Sequence, residues 1–469
     1  MQPAQDGGPS VLTMTGRGLP RPAVARLLAL RLTVAALVAI AVVASTGVAT
    51  TGVATTGVAT TGPARPHPGL SPVRIFPAIR VQAAAGPAGG LTPRQVRAAY
   101  DTGPLLTRSV TGKGQTIVIV DSFGSPTIAA DLAHFDRHYG LASPPSFRII
   151  QPAGRVPRYH ATDSRTGWAA ETTLDVEWAH VLAPGARILL VETPTAENEG
   201  TTGFPQIVTA EKYVLRHHLG QVISQSFAAT EQTFPSRPAL LRLRGAYQLA
   251  ASDHVPVLAA SGDEGATGFK FEMTDLYTHR AVSWPATDPL VTAVGGTRLF
   301  LRANGSRRQA DVAWADSGGG RSLFFARPAY QNGVRAVTGS QRGVPDVSMD
   351  ASCASPVSVY GSFGGNDGPW STICGTSVAT PMLAGLVALA SQVAGHRLGE
   401  INRALYAMAA AHDRGIFDIR AGNNTQTFFQ DGQQFTVPGF GARAGYDLVS
   451  GVGSVNAAYF VPELAHLAG

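Results

Sequence analysis

The stretch Cys374-Gly-Thr-Ser377-Val-Ala-Thr-Pro381-Met-Leu-Ala-Gly385-Leu-Val-Ala-Leu runs a glycine, a threonine and a serine straight into an apolar helical pattern. Ser377 therefore falls at a helix N-terminus, where unpaired backbone N–H groups and the helix dipole favour developing negative charge. A nucleophile and its oxyanion need that environment. Taken alone, the stretch reads first as an N-cap serine. What lies upstream changes the balance.

A serine nucleophile needs a base. The chain's 12 histidines are scattered, none beside a matching glycine pattern. The segment Ala170-Glu171-Thr-Thr-Leu-Asp175-Val-Glu177-Trp-Ala-His180-Val-Leu-Ala-Pro184-Gly-Ala offers carboxyl groups instead. Glu171 and Asp175 stand four apart, so on a helix they share one face. Two carboxyls so placed repel and push their pKa values apart, leaving one able to hold or accept a proton. Acidic pairs at this spacing usually mark a solvated face. Here the flanks Trp168, Ala169, Ala170, Leu174 and Trp178 are apolar, which argues against exposure.

Further out, short β-branched and apolar runs alternate with helical patterns. Thr116–Val120, Arg187–Glu192, Gln221–Ser224, Val255–Ala260 and Leu290–Val294 read as buried strands. Thr127–Tyr139, Ala170–Leu182, Ile207–His218 and Pro238–Asp253 read as helices between them. The alternation predicts a doubly wound α/β sheet and one large domain from Leu91 to Gly469.

With these pieces together, the chain resembles the sedolisin family, the serine-carboxyl peptidases built on the subtilisin fold. Gly-Thr-Ser followed four residues later by Pro matches the nucleophile motif of subtilisin-like peptidases, and Glu-x-x-x-Asp followed by Ala-Pro-Gly-Ala is sedolisin-like. The resemblance implies a mostly parallel subtilisin-like sheet and a Ser-Glu-Asp triad. Ser377 would be the nucleophile, Glu171 the base and Asp175 the residue orienting it. Ala260-Ser-Gly-Asp263-Glu-Gly265 matches the family's oxyanion aspartate, so Asp263 would donate to the oxyanion, protonated, at acidic pH. Asp121, ending the first strand, would join the triad network, and Ser226 in Gln221-Val-Ile-Ser-Gln-Ser226-Phe227 would line the substrate cleft.

The same resemblance implies one structural Ca²⁺, held by Asp418 and Asp447 with carbonyls of Ile419, Arg443 and Gly445. Cys353 and Cys374 are read as a disulfide, the alternative being a free thiol beside Ser377. Most sedolisins carry a long folded pro-domain. Here the residues before Leu91 look unstructured, so a unit starting at Leu91 is expected to fold unaided.

Composition excludes several classes. Charged residues make up 14% of the 469, against about 25% on average, and hydrophobic residues 44%. Two cysteines exclude a disulfide scaffold and a multi-cysteine zinc module. The net charge of +6 is concentrated early, with Arg17, Arg21, Arg26 and Arg31 ahead of the apolar run Leu32–Ala44. That arrangement reads as a secretory signal over 1–45, followed by a linker or short pro-segment over 46–90 that contains a GVATT repeat. Elsewhere no basic stripe with interleaved aromatics points to nucleic acid, and no second run of 18 apolar residues points to a membrane. The expectation is a secreted, monomeric endopeptidase acting on polypeptides. A turnover-dead binding protein of the same fold, and a Ser-His-Asp peptidase using Asp121 with His160 or His180, stay open.

Overall fold

The computed structural model describes residues 73–75, 79–83, 89–364 and 369–468. The expected signal segment and the GVATT repeat lie outside them. In chain order the elements that build the site region are β1 (Thr116–Ser122), α1 (Ile128–Tyr139), β2 (Phe147–Ile150), α2 (Asp163–Leu182), β3 (Arg187–Thr193), α3 (Phe204–Arg216), β4 (Val222–Gln225), α4 (Gly245–Ser252), β5 (Val257–Ala260) and β6 (Thr292–Arg298). After them come β7 (Val312–Ala313), β8 (Val347–Asp350), β9 (Val357–Tyr360), β10 (Trp370–Cys374), α5 (Thr376–Ala394) and α6 (Ala457–Leu467).

The central sheet runs β7-β6-β5-β4-β1-β3-β2, with β8 also on β6. Every pairing is parallel except β7 on β6. Strand side chains alternate between two covered faces. Ile117 and Ile119 pack with Leu174, Val181, Leu383 and Val387 of α2 and α5. Val118 and Val120 pack with Ile207, Val214 and Tyr247 of α3 and α4. Burial on both faces is why these strands read as unbroken apolar runs. Each such side chain contributes about 1.5–3 kcal/mol when fully buried. The result is the expected doubly wound, mostly parallel α/β sheet with helices on both faces.

α5 is apolar on every side, and by length and hydropathy it is the kind of helix that could cross a bilayer. It is instead the core helix, buried from Thr376 to Ser391. Its contact with α2 is close because residue 385 is glycine: a Cβ there would stand 2.6 Å from Leu182 Cβ.

The structure departs from the sequence reading at several element boundaries, and three departures bear on the site region. α2 begins at Asp163, seven residues earlier than the apolar pattern suggests, because Thr162 caps it by accepting the Arg165 amide. The helix expected over 238–253 is broken into Arg237–Leu241, a 3₁₀ turn and α4, which opens at Gly245, a poor helix former. Order also begins before Leu91. Val73–Ile75 and Ile79–Ala83 form an antiparallel hairpin, and Ile79–Ala83 continues onto β10, pairing Arg80 with Cys374. The period-two alternation of Ile79, Val81 and Ala83 is short and flanked by prolines, which hides it in the sequence.

Candidate active site

The carboxyl ends of adjacent parallel strands are where α/β sheets hold ligands. Three of them converge here. β1 ends at Asp121 and Ser122, β4 is followed by Ser226, and β5 by Ser261, Gly262 and Asp263. α2 brings Glu171 and Asp175, both fully buried, and α5 brings Ser377 in its first turn, 6% exposed. The helix starts there because Gly375, at φ +138°, turns the chain sharply off β10. A Cβ at 375 would also collide with Asp263 Oδ2, so glycine is required twice over.

Asp263 is clamped by the residue before the serine. Its Oδ1 accepts from the Thr376 amide at 2.7 Å and from the Thr376 hydroxyl at 2.8 Å. On the other side, the Ser226 hydroxyl donates to Asp175 Oδ1 at 2.8 Å and lies 3.5 Å from the Ser377 carbonyl. That carbonyl is exposed to such a contact because Pro381, four residues on, has no amide hydrogen to give it. Glu171 makes no hydrogen bond of standard geometry. The Ser377 hydroxyl is nonetheless near enough to lower the Glu171 pKa, an approach of the kind that tightens when substrate binds.

The electrostatics are one-signed. Burial first, then Asp175 and Asp121, push Glu171 well above the usual carboxyl range, and Asp263 adds to this. Burial and Asp121 raise Asp175, which Ser226 partly offsets. Burial raises Asp121 to about 7, with Thr172 opposing and Glu192 adding. Among the described residues no cation acts on these three groups, so the cluster retains protons.

Glu171, Asp175, Asp263, Ser226, Asp121 and Ser377 are thus brought into one buried cluster. The histidines considered as bases stand apart from it. His180 Nε2 lies 2.9 Å from the Ala142 carbonyl and 3.3 Å from Asp136, and His160 is exposed. Cys353 and Cys374 are disulfide-bonded, fastening the strand that leads into Ser377. Beside Ser377 opens a pocket walled by Ser226, Phe227, Ala228, Gly262 and Phe269. Its lining includes Glu197, Glu199 and Glu264, which the sequence reading did not single out. Thr376 was missed as well, although its place before the serine was a usable signal.

The residues expected to hold calcium lie in hydrogen-bonding contact. Gly445 donates its amide to Asp418 Oδ1 at 3.1 Å, and Arg443 its amide to Asp447 Oδ2 at 3.0 Å. Two carboxylates thus bracket one loop whose carbonyls, with that of Ile419, are hard oxygen donors, a set that fits Ca²⁺. Arg420, now 2.7 Å from Asp418 Oδ2, would have to swing aside. Among the described residues no three His, Cys, Asp or Glu side chains are arranged to hold a metal ion, so carbonyls would complete the shell.

A family profile described as Subtilase family matches residues 160–440. Kumamolisin of Bacillus sp. (strain MN-32) is 31% identical over 357 residues, covering 74% of this chain and 59% of the relative. Sedolisin of Pseudomonas sp. (strain 101) is 28% identical over 386 residues, covering 80% and 61%. The chain thus spans about six-tenths of the length of these curated relatives. The solved structure of Pseudomonas sedolisin, a serine-carboxyl proteinase complexed with two molecules of pseudo-iodotyrostatin, shares the fold. Its TM-score is 0.66 at 24% identity, over 81% of this chain and 98% of that one.

Proposed function

The chain belongs to the subtilase family, with kumamolisin and sedolisin among its homologues, and from that premise we propose that it is a serine-carboxyl endopeptidase working in acid. The observation that carries this reading is the placement of Ser377, at a helix N-terminus against Glu171, in a cluster whose charged groups are all carboxyls.

Ser377 Oγ attacks the scissile carbonyl while Glu171 takes its proton. Base catalysis needs the form of the Glu171–Asp175 pair that has lost one proton and carries one negative charge. Asp175, fixed by Ser226, steadies that charge. The Ser377 amide and protonated Asp263 donate to the tetrahedral oxyanion, with Thr376 holding the Asp263 carboxyl in place. Glu171 returns the proton to the leaving amine, and water repeats the sequence on the acyl-enzyme. An ionised Asp263 could not donate to the oxyanion, so this mechanism calls for acid.

The residues at 418–447 would hold one Ca²⁺, whose contribution is structural. The segment over 17–45 supports secretion, which detection of the mature chain in medium rather than cells would test.

The deciding experiment is a pH–rate profile on a denatured protein, wild type beside Glu171→Gln and Ser377→Ala. The expected result is a peak below about pH 5 that both variants abolish. A neutral optimum surviving Glu171→Gln would move the base elsewhere. Absence of turnover at every pH in folded protein would leave a binding protein of this fold.

A further inference from the structure

We propose that the pocket beside Ser377 selects a basic side chain, lysine or arginine, at the substrate residue whose carbonyl Ser377 attacks. This rests on the peptidase reading for its position in the substrate and on the pocket's own chemistry for its preference.

Three glutamates, Glu197, Glu199 and Glu264, line the pocket, and no lysine, arginine or histidine does. Phe227, Phe269 and Met273 supply apolar wall. A long aliphatic stem against such walls, with a cationic head at the carboxyls, is how lysine and arginine bury themselves.

Glu199 is held as an anchor. It accepts from the Thr230 amide at 2.7 Å, the Thr230 hydroxyl at 3.1 Å and the Thr233 hydroxyl at 2.9 Å. Glu197 is its opposite. The residue is only 6% exposed, yet its Oε1 has no hydrogen-bond partner. A buried carboxyl oxygen left unpaired is costly, and it calls for a partner the folded chain does not itself supply.

Burial and then Glu199 push Glu197 well above the ordinary range, and burial raises Glu199 to about 8, so the empty pocket keeps its protons. An entering ammonium or guanidinium displaces a proton to solvent and leaves a carboxylate opposite itself. An acidic side chain gains nothing of the kind, and an apolar one leaves Glu197 unpaired. The apolar wall of Phe227, Phe269 and Met273 beside these carboxyls suits a cation carried on an aliphatic stem.

The test is a set of peptides identical except for Lys, Arg, norleucine or Glu at that position. Wild type should cleave the lysine peptide with kcat/KM about tenfold or more above norleucine, and the glutamate peptide most slowly. Glu197→Gln should bring the lysine-to-norleucine ratio close to one, and Glu264→Gln, on a different loop, reads the same ratio should the first variant fail to fold. Binding of the same peptides, fluorescein-labelled, to Ser377→Ala measures the preference without turnover. Lysine preference in binding, with no hydrolysis by wild type, would uphold the pocket and sink the peptidase reading. Hydrolysis and binding that favour norleucine or make it equal to lysine would overturn the pocket and leave the peptidase standing.

Discussion

At the scale of single residues, the site depends on how few groups oppose its crowded carboxyls. Ser226 is one of them: its hydroxyl lowers the pKa of Asp175, against burial and Asp121. Removing it in Ser226→Ala raises Asp175. The pair with Glu171 then keeps both protons to a higher pH, and base catalysis needs one of them gone. The acid limb of the kcat profile should therefore move to higher pH, with the Ser226→Thr variant moving it less. A limb that stays in place would mean Asp175 does not set the ionisation of Glu171. Ser377→Ala is expected to cost on the order of 10⁵-fold or more in kcat, since removing the nucleophile of a triad leaves only binding and oxyanion contributions. Active-site titration alongside the rate guards against trace wild type.

At the scale of elements, what was legible is what the core enforces. Ile117 and Ile119 against Val118 and Val120 spell out a strand buried on both faces, and the apolar run of α5 behind Gly-Thr-Ser spells out its helix and the place of Ser377 on it. What escaped is set by contacts distant in sequence. Glu197 and Glu199 look like solvated loop residues until Thr230 and Thr233 close over Glu199. The strand Ile79–Ala83 takes much of its support from β10, far along the chain. The α2–α5 contact yields a prediction: Gly385→Val forces a branched side chain against Leu182 and should destabilise by about 1–3 kcal/mol in urea unfolding. A neutral outcome would mean the helices separate easily. The loop at 443–447 yields another. If Ca²⁺ binds there, chelation should lower the melting temperature, by the equivalent of about 2.7 kcal/mol when the ion had been present at a hundred times its Kd. Asp447→Asn, already melting low, should then respond little to chelator, whereas equal responses would place the ion elsewhere.

At the scale of the whole molecule, the buried acids outside the proposed triad point the same way as its own carboxyls. Burial raises Glu177 and Glu197 well above the usual range, Asp121 to about 7, and Glu199, Glu211 and Asp350 to about 8. A carboxyl whose folded pKa exceeds its unfolded one is more protonated in the native state. Stability then falls as pH rises, by the difference in bound protons. The contribution of each group is complete below the unfolded value near 4 and disappears as pH climbs through the folded value. For this set the window runs from the ordinary carboxyl range to about 8. The chain should therefore melt highest in acid and progressively lower towards neutrality, the reverse of a protein whose carboxylates are salt-bridged. Differential scanning calorimetry between pH 3.5 and 8 at constant ionic strength reads this directly. Glu211→Gln, which neutralises a fully buried carboxyl held by Gln225, should flatten the slope. A melting temperature that rises towards neutral pH would mean these acids find compensating charge or water in solution, and the proposed acid range would then rest on the Glu171, Asp175 and Asp121 cluster alone.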